Sequence, residues 1–138
     1  MPVTFRFLPE HFLIYFRIEG WIEIQEAVRA ATELRAAPAY RKGMRQLVDL
    51  SALTGWERNF TAIMKEHANQ VDVLDDPQRP SLIVLLAPHE EASSLAQAIR
   101  TPWERSQRAV MVTVDSEVEA LTVLGIDAPS VAAVIEGV

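Results

Sequence analysis

The stretch Leu82-Ile83-Val84-Leu85-Leu86 contains no polar residue and ends shortly before Pro88. An unbroken run of branched apolar side chains is typical of a central strand that is covered on both faces of its sheet. Such strands occur mainly in parallel sheets, because the helices that connect parallel strands pack on the two faces. The stretch therefore predicts an α/β protein in which helices and strands alternate on either side of it.

Shorter segments around this stretch predict the other strands. Residues 46–50 (QLVDL) and 110–114 (VMVTV) have the composition of strands. Residues 3–7 alternate between apolar and polar side chains, and residues 12–18 are rich in aromatic and β-branched residues before Gly20. The last two runs predict an antiparallel hairpin at the start of the chain.

Apolar residues spaced three and four apart predict a helix after each of the later strands and after the hairpin. Asn59 is suited to cap the second helix, and Asp115 or Ser116 to cap the last. Pro102 predicts a kink after the third helix, because proline lacks the N–H that a continuing helix needs. The first helix runs from Ile22 to before Pro38, the second from Asn59 to Asp75-Asp76-Pro77, the third over residues 90–100, and the fourth to Gly125, with a helical turn in residues 128–138.

The predicted order is β-β-α-β-α-β-α-β-α. It specifies an α/β fold with a single-layer mixed, mainly parallel five-stranded sheet and about four helices, in which the first strand is an antiparallel edge. No internal repeat and no linker interrupts the pattern. We therefore expect one domain that covers residues 1–138.

The composition of the chain argues against several classes of function. The chain has 138 residues, a formal net charge of −6 and no cysteine. The acidic balance argues against nucleic acid as a partner, because affinity for phosphate backbones comes mainly from clustered Lys and Arg. The N-terminal residues lack the pattern of a secretory signal, and residues 82–88 are far fewer than the about 20 that a membrane-spanning helix needs. We expect a cytoplasmic protein that does not span a membrane.

Several short motifs occur in an order that resembles a known family. Gly20-Trp21 closes the second strand, residues 38–43 read Pro-x-Tyr-Arg-Lys-Gly, and residues 46–51 read QLVDLS. Glu119-Ala120-Leu121 is followed by Leu124-Gly125. Together with the element order, these motifs resemble the STAS domain superfamily, and more specifically the small bacterial SpoIIAA-like proteins. The resemblance implies the fold predicted above.

The resemblance also implies that the segment after the third strand is a site of regulation by phosphorylation. In anti-sigma factor antagonists of this superfamily, the loop after the third strand carries an Asp-Ser-Ser-Gly-type segment whose serine a partner kinase phosphorylates. Here residues 52–59 follow Asp49 and Ser51 without an Asp-Ser pair. Ser51 aligns with the serine at the strand end, and Thr54 is the nearest hydroxyl substitute. Ser51 and Thr54 are therefore the candidate phosphoacceptors.

Four residues are candidates for ligand or partner binding. Asp49 ends a parallel strand, where open α/β sheets place their ligand crevices, although it could equally accept backbone N–H groups from the following segment. Trp56 and Asn59 lie in the same predicted loop, and Trp56 could either pack at the core edge or face a partner. His67 lies on the apolar stripe of the second helix, as a core residue or as a base.

Motifs that indicate catalysis are missing from the sequence. None of the three histidines belongs to a HExxH motif, and without cysteine no thiolate metal site can form. Ser93 and Ser94 do not lie in a Gly-x-Ser-x-Gly turn, and the glycines do not form a phosphate-binding loop. We therefore expect no catalytic residue, no metal and no cofactor.

These observations favour three functions in order. The first is a non-enzymatic STAS-like regulatory or protein-interaction module that works through the predicted loop 49–59, with a kinase or regulator as partner. The second is a binding protein for a small apolar ligand or lipid, favoured by the many aliphatic residues and by fold analogy. The third is an enzyme. Aromatic residues in the hairpin between Phe5 and Phe16 also predict a homodimer.

Overall fold

Five strands form one sheet in the order β1-β2-β3-β4-β5. The computed structural model describes residues 2–71, 81–104 and 109–137. β1 pairs with β2 in the antiparallel direction and every later neighbour is parallel, as predicted. The strands are β1 Val3–Leu8, β2 Leu13–Ile22, β3 Arg45–Trp56, β4 Ser81–Leu86 and β5 Ala109–Val114.

The helices agree with the predicted order. The helical turn predicted in the tail forms a fifth helix, and short 3₁₀ turns cover Pro9–His11 and Thr101–Trp103. The predicted end of the second helix at residues 75–77 lies outside the described residues. Within the described ranges, the helices are too short or too polar to cross a membrane. They are α1 Ile24–Ala36, α2 Phe60–Val71, α3 Glu90–Arg100, α4 Glu117–Leu124 and α5 Val131–Glu136.

The sequential strand order decides on which side the helices pack. Right-handed crossovers between neighbouring parallel strands leave their helices on the same face of the sheet. Accordingly α1, α2 and α3 pack on one face, with Leu34, Ile63 and Leu95 in one core cluster. α4 and α5 cover the other face, with Leu121 and Val134 in a second cluster. We call these the three-helix face and the two-helix face.

β4 has the two-sided burial that its sequence predicts. Ile83 and Leu85 belong to the core of the three-helix face, whereas Val84 and Leu86 belong to the core of the two-helix face. Successive side chains of a strand point to opposite faces, so an unbroken apolar run supplies both cores at once. The prediction of a covered central strand is confirmed.

The predicted loop 49–59 is wrong for residues 49–56, which belong to β3. This part of β3 pairs with the end of β2, where Ile22 faces Trp56. Two register shifts place extra residues in β3, so Leu50, Leu53 and Trp56 enter the same core cluster at a spacing of three. Because the bulges break the period of two, the segment lacks the alternation by which a strand is predicted.

Side-chain caps fix the starts of four helices, and Nδ1 of His89 accepts the N–H of Ala92 at 3.3 Å to cap α3. The Oδ1 atom of Asn59 accepts a hydrogen bond from the N–H of Ala62 at 3.1 Å, which confirms Asn59 as the cap of α2. Ser116 caps α4, and Ser130 caps α5 in the same way. Gly125 ends α4 with a φ of 67°, a left-handed conformation that glycine adopts without strain.

Candidate ligand site

A cavity of about 130 Å³ lies on the three-helix face, between the sheet and the helices that cover it. Its walls come from β2, β3 and β4 and from α1, α2 and α3, and they are mostly apolar. Because each element contributes only a few side chains, the cavity depends on how the whole face is packed. Apolar residues in its wall include Phe16, Val28, Ala31, Leu34, Ile63 and Trp103.

One part of the wall is polar and is held together by an ion pair. Arg35, in the last turn of α1, places Nη2 3.0 Å from Oε1 of Glu66 on α2. The same Glu66 oxygen accepts a hydrogen bond from Nε2 of Gln70 at 3.3 Å. All three residues line the cavity. The ion pair therefore joins α1 to α2 at the edge of an otherwise apolar space.

Two polar atoms in this region have no partner. Glu66 Oε2 and His67 Nδ1 are buried and make no hydrogen bond to any residue that the structure describes, and both residues line the cavity. A buried polar group without a partner costs about 1–3 kcal/mol. Such a cost is expected where a ligand supplies the missing hydrogen bonds. The pair therefore leaves unused hydrogen-bonding atoms in this part of the wall.

His67 is held as a neutral base. Its ring packs edge-on against Trp103 with 4.3 Å between ring centroids. Burial lowers the pKa of His67, because desolvation disfavours the charged imidazolium. Burial also raises the pKa of Tyr40, another residue of the cavity wall, although the charge of Arg35 opposes this. At neutral pH the cavity therefore presents an imidazole and a phenol, both uncharged.

A second cavity, of about 430 Å³, lies on the two-helix face where β4 and β5 end, and Asp49 of β3 lines it. Asp49 is only 4% exposed. The hydroxyl of Tyr15 donates to its Oδ2 atom, and Nη1 of Arg17 lies 3.7 Å from that atom. The N–H and hydroxyl of Ser51 donate to Oδ1 at 3.0 and 2.6 Å. The carboxylate is thus paired on both oxygens.

The surroundings of Asp49 alter the ionisation of its neighbours. Burial, and the hydrogen bond that Tyr15 donates to Asp49, raise the pKa of Tyr15 to about 12. The hydrogen bond from Arg17 to the Tyr15 oxygen raises the pKa of Arg17, and the Asp49 carboxylate adds to this. Tyr15 therefore stays protonated and remains a donor to Asp49 throughout the physiological range.

The structure brings some of the sequence-predicted residues together and separates others. Ser51 is exposed beside Asp49, and Thr54 is exposed farther along β3. His67 lies on the opposite face of the sheet from Asp49. Asn59 acts as a helix cap. The six candidates therefore do not form one site.

Trp56 is a core residue rather than a surface one. It is buried, and its Nε1 atom donates to Oγ of Ser94 at 2.9 Å. The guanidinium of Arg58 lies 4.1 Å above its ring, and Arg58 also pairs with Glu91 of α3 at 3.4 Å. Trp56 thus links the end of β3 to α3 through a hydrogen bond. Its indole ring is buried in the core and is not exposed for contact with a partner.

Sequence reasoning missed the polar wall formed by Arg35 and Glu66. A signal for it exists, because Glu66 follows Ile63 by three residues and so lies on the buried stripe of α2. A charged residue at such a position needs a partner on a neighbouring element. In residues 2–71, 81–104 and 109–137 no group of three or more metal-ligating side chains comes together.

Comparison with known proteins identifies the architecture. No protein-family model and no curated protein matches the chain. Among solved structures, the chain is similar to an uncharacterised protein of the DUF3478 family with a SpoIIAA-like fold from Shewanella loihica PV-4. The TM-score is 0.53 at 12% sequence identity, and the similarity covers 88% of this chain and 91% of that one. The chain therefore has a SpoIIAA-like fold, as its motifs and element order predicted.

Proposed function

We propose that this SpoIIAA-like domain is a non-enzymatic binding module whose ligand is small and largely apolar. The ligand occupies the cavity on the three-helix face. The main support is the apolar wall that the sheet and three helices build around about 130 Å³ of space. This is the second of the functions that the sequence favours.

The volume limits the size of the ligand. An engineered apolar cavity of about 150 Å³ binds benzene in another protein, whereas pockets for drug-sized ligands start at about 300 Å³. At about 130 Å³, the cavity fits a molecule of roughly benzene size. A lipid with a long acyl chain would exceed this space.

The hydrogen bonds around the serines and histidines support binding rather than catalysis. Among the described residues, His89 contacts the backbone oxygen of Ser51 at 3.2 Å, not its hydroxyl. The hydroxyl of Ser94 is occupied, because it donates to the Glu91 carbonyl and accepts from Trp56. A serine nucleophile is commonly activated by a histidine within hydrogen-bond reach of its hydroxyl, and among the described residues no histidine contacts the hydroxyl of Ser51 or Ser94.

A pair of matched variants tests the proposed function. Ala31 lines the cavity, whereas Ala36 is exposed at the end of the same helix. We expect wild-type protein and Ala36→Leu to bind toluene in calorimetric titrations, and Ala31→Leu to lose the binding because its larger side chain fills the space. Circular dichroism and thermal unfolding of both variants control for folding.

The toluene titrations of the two variants distinguish binding in the cavity from binding elsewhere. Loss of toluene binding only in Ala31→Leu supports the cavity as the site. Binding that is equal in both variants, or absent from the wild type at millimolar toluene, overturns the proposal. Native mass spectrometry of gently purified protein should in addition show an adduct that is lost on denaturation.

We also propose a second function, regulation through Ser51, because its exposed hydroxyl contacts a buried carboxylate. Ser51 Oγ donates to Asp49 at 2.6 Å. A phosphoryl group on Ser51 would remove this donor and add a charge of about −1.5 to −2 beside Asp49. The repulsion would turn residue 51 away from Asp49 and change the surface that a protein partner contacts. Arg17 lies near enough to Asp49 to pair with the new phosphate.

Mass spectrometry of the protein recovered from its own cells tests this second function. We expect phosphate on Ser51 or Thr54. We also expect the phosphomimetic Ser51→Glu to change capture of the cognate kinase or regulator, while Ser93→Glu, on an exposed serine of α3, leaves it unchanged. Unmodified Ser51 and Thr54, together with equal capture by both variants, would exclude the regulatory function.

A further inference from the structure

The unpartnered atoms of Glu66 and His67 restrict the chemistry of the ligand. The two residues follow each other on α2, and both line the cavity. Within the described residues, other buried side-chain atoms without a partner belong to Glu26, Glu57 and Ser81, none of which lines this cavity. Among the described residues, the unpartnered buried atoms of the cavity wall therefore lie at one point, which combines a carboxylate oxygen with an imidazole nitrogen.

The ion pair with Arg35 determines what charge the ligand can carry. Arg35 lies 3.0 Å from Glu66 Oε1, and its side chain, like that of Glu66, is largely buried. The carboxylate is already neutralised, so a ligand ammonium would be buried without a counter-charge of its own, which is costly. A ligand carboxylate would be worse, because it brings negative charge and acceptors to Glu66 Oε2, which needs a donor.

A hydroxyl group matches both atoms. It carries one O–H donor and two acceptor lone pairs. The donor satisfies Glu66 Oε2, which can only accept. Because the single O–H proton of the hydroxyl goes to Glu66, His67 pairs with the same hydroxyl in the neutral tautomer whose Nδ1–H donates to the hydroxyl oxygen.

We propose that the ligand is a small alcohol or phenol with an apolar body of about benzene size. Its hydroxyl donates to Glu66 Oε2 and accepts a hydrogen bond from Nδ1–H of His67. The assignment rests on the binding function proposed above for this cavity, and it adds the class of ligand. The apolar body packs against side chains such as Leu34 and Ile63 of the cavity wall.

A panel of four probes of similar size tests the assignment on the unmodified protein. Phenol and toluene differ by a hydroxyl in place of a methyl group, while benzylamine and benzoate add opposite charges. We expect phenol to bind about tenfold more tightly than toluene, because hydrogen bonds to charged groups contribute the most. We expect benzylamine and benzoate to bind more weakly than toluene.

Each outcome of the panel decides a specific point. Equal affinity for phenol and toluene overturns the assignment of an alcohol but leaves the apolar binding function intact. Tightest binding of benzylamine or benzoate also overturns it, in favour of a charged ligand. Binding of none of the four probes at millimolar concentration overturns the binding function together with the ligand class.

A histidine variant tests the second contact. His67→Phe keeps an aromatic ring against Trp103 and removes Nδ1. We expect roughly fivefold weaker binding of phenol and unchanged binding of toluene, because one neutral hydrogen bond is lost. His11→Phe, the same substitution in the turn after β1, should change neither affinity. Unchanged phenol affinity in a folded His67→Phe protein would remove His67 from the site. The four-probe panel needs no variant and stands if His67→Phe fails to fold.

Discussion

Asp49 lies inside β3 rather than at its end, and its surroundings are compatible with both roles considered for it. It accepts the backbone N–H of Ser51, which is the structural role that its position allows. It also lines the cavity on the two-helix face. Its charge stays buried because Tyr15, Arg17 and Ser51 surround both oxygens. The carboxylate therefore contributes to stability whether or not a ligand binds beside it.

Replacing Asp49 should destabilise the fold strongly. In Asp49→Ala, the Tyr15 hydroxyl loses its acceptor and the Arg17 guanidinium loses its counter-charge. We expect the free energy of unfolding to fall by about 2–4 kcal/mol, measured in urea. Asp127→Ala, at an exposed aspartate, should change it by less than about 0.5 kcal/mol. A similar small change for both variants would contradict the buried network.

Tyr15 should titrate at unusually high pH. Its pKa is raised from 10.0 to about 12 by burial and by its bond to Asp49. The raised pKa contributes stability that is complete below pH 10.0 and is lost as the pH rises through about 12. Ultraviolet titration of tyrosinate should show this late step in the wild type. Tyr15→Phe, which retains only Tyr40, should lack it; a step shared by both proteins would belong to Tyr40.

His67 should make the free energy of unfolding depend on pH in the acidic range, whereas Tyr15 acts in the alkaline range. Its folded pKa is lowered by burial from an ordinary value of 6.5. The unfolded chain therefore binds the proton first as the pH falls, so this contribution is present above pH 6.5 and is lost below it. Urea unfolding at pH 8 and pH 5 should show a larger loss for wild type than for His67→Phe. Equal losses would mean that His67 is solvated in the folded protein.

At the scale of elements, β3 shows where sequence patterns fail. Its first half, QLVDL, has the composition of a strand and was predicted as one. Its second half contains Thr54 and Gly55, which suggest a turn, and its apolar residues are three apart. Pairing with β2 through two register shifts turns this segment into a strand. That pairing joins residues about 30 positions apart, beyond the range of local patterns.

Gly55 lies in close contact with the Trp21 side chain, where the ends of β2 and β3 pair. A Cβ atom on residue 55 would lie 2.8 Å from Cδ1 of Trp21. Trp21 is 59% exposed and so can move outwards. We expect Gly55→Ala to increase acrylamide quenching of tryptophan fluorescence, at a cost of no more than about 1 kcal/mol in the free energy of unfolding. Thr54→Ala, at the exposed neighbour, should leave quenching unchanged.

The background of Trp21→Phe identifies the origin of the fluorescence change. Trp56 and Trp103 are buried, so they should contribute little to quenching. Gly55→Ala should then have no effect on quenching in the Trp21→Phe protein. A persistent effect would show that the substitution disturbs the core around Trp56 instead of displacing Trp21.

At the scale of the whole molecule, the sequence predicted the fold better than the site. Element type and order follow from side-chain periodicity, and the SpoIIAA-like architecture follows from that order. The cavity of the three-helix face could not be predicted in this way, because it depends on contacts between residues that are distant in the sequence. Its polar wall needs Arg35 and Glu66, which lie 31 positions apart on separate helices and meet only when α1 packs beside α2.

The homodimer predicted from the aromatic hairpin stays a prediction. In the structure Phe5 and Phe7 are half-buried with their rings 5.9 Å apart, and Phe12 is exposed beside the edge strand β1. We expect light scattering to give twice the monomer mass at high concentration. Phe12→Asn should shift the mass towards the monomer, since Asn tolerates the φ of 50° at this position. A monomer mass for the wild type at every concentration would contradict the prediction.

The strand order has a consequence for folding. Every strand pairs with the strand that precedes it in the chain, so no strand has to insert between two that are already joined. During synthesis, β1, β2 and β3 can pair before β4 has left the ribosome. Each new strand then finds its edge as it emerges, so the sheet can be built in the order of the chain.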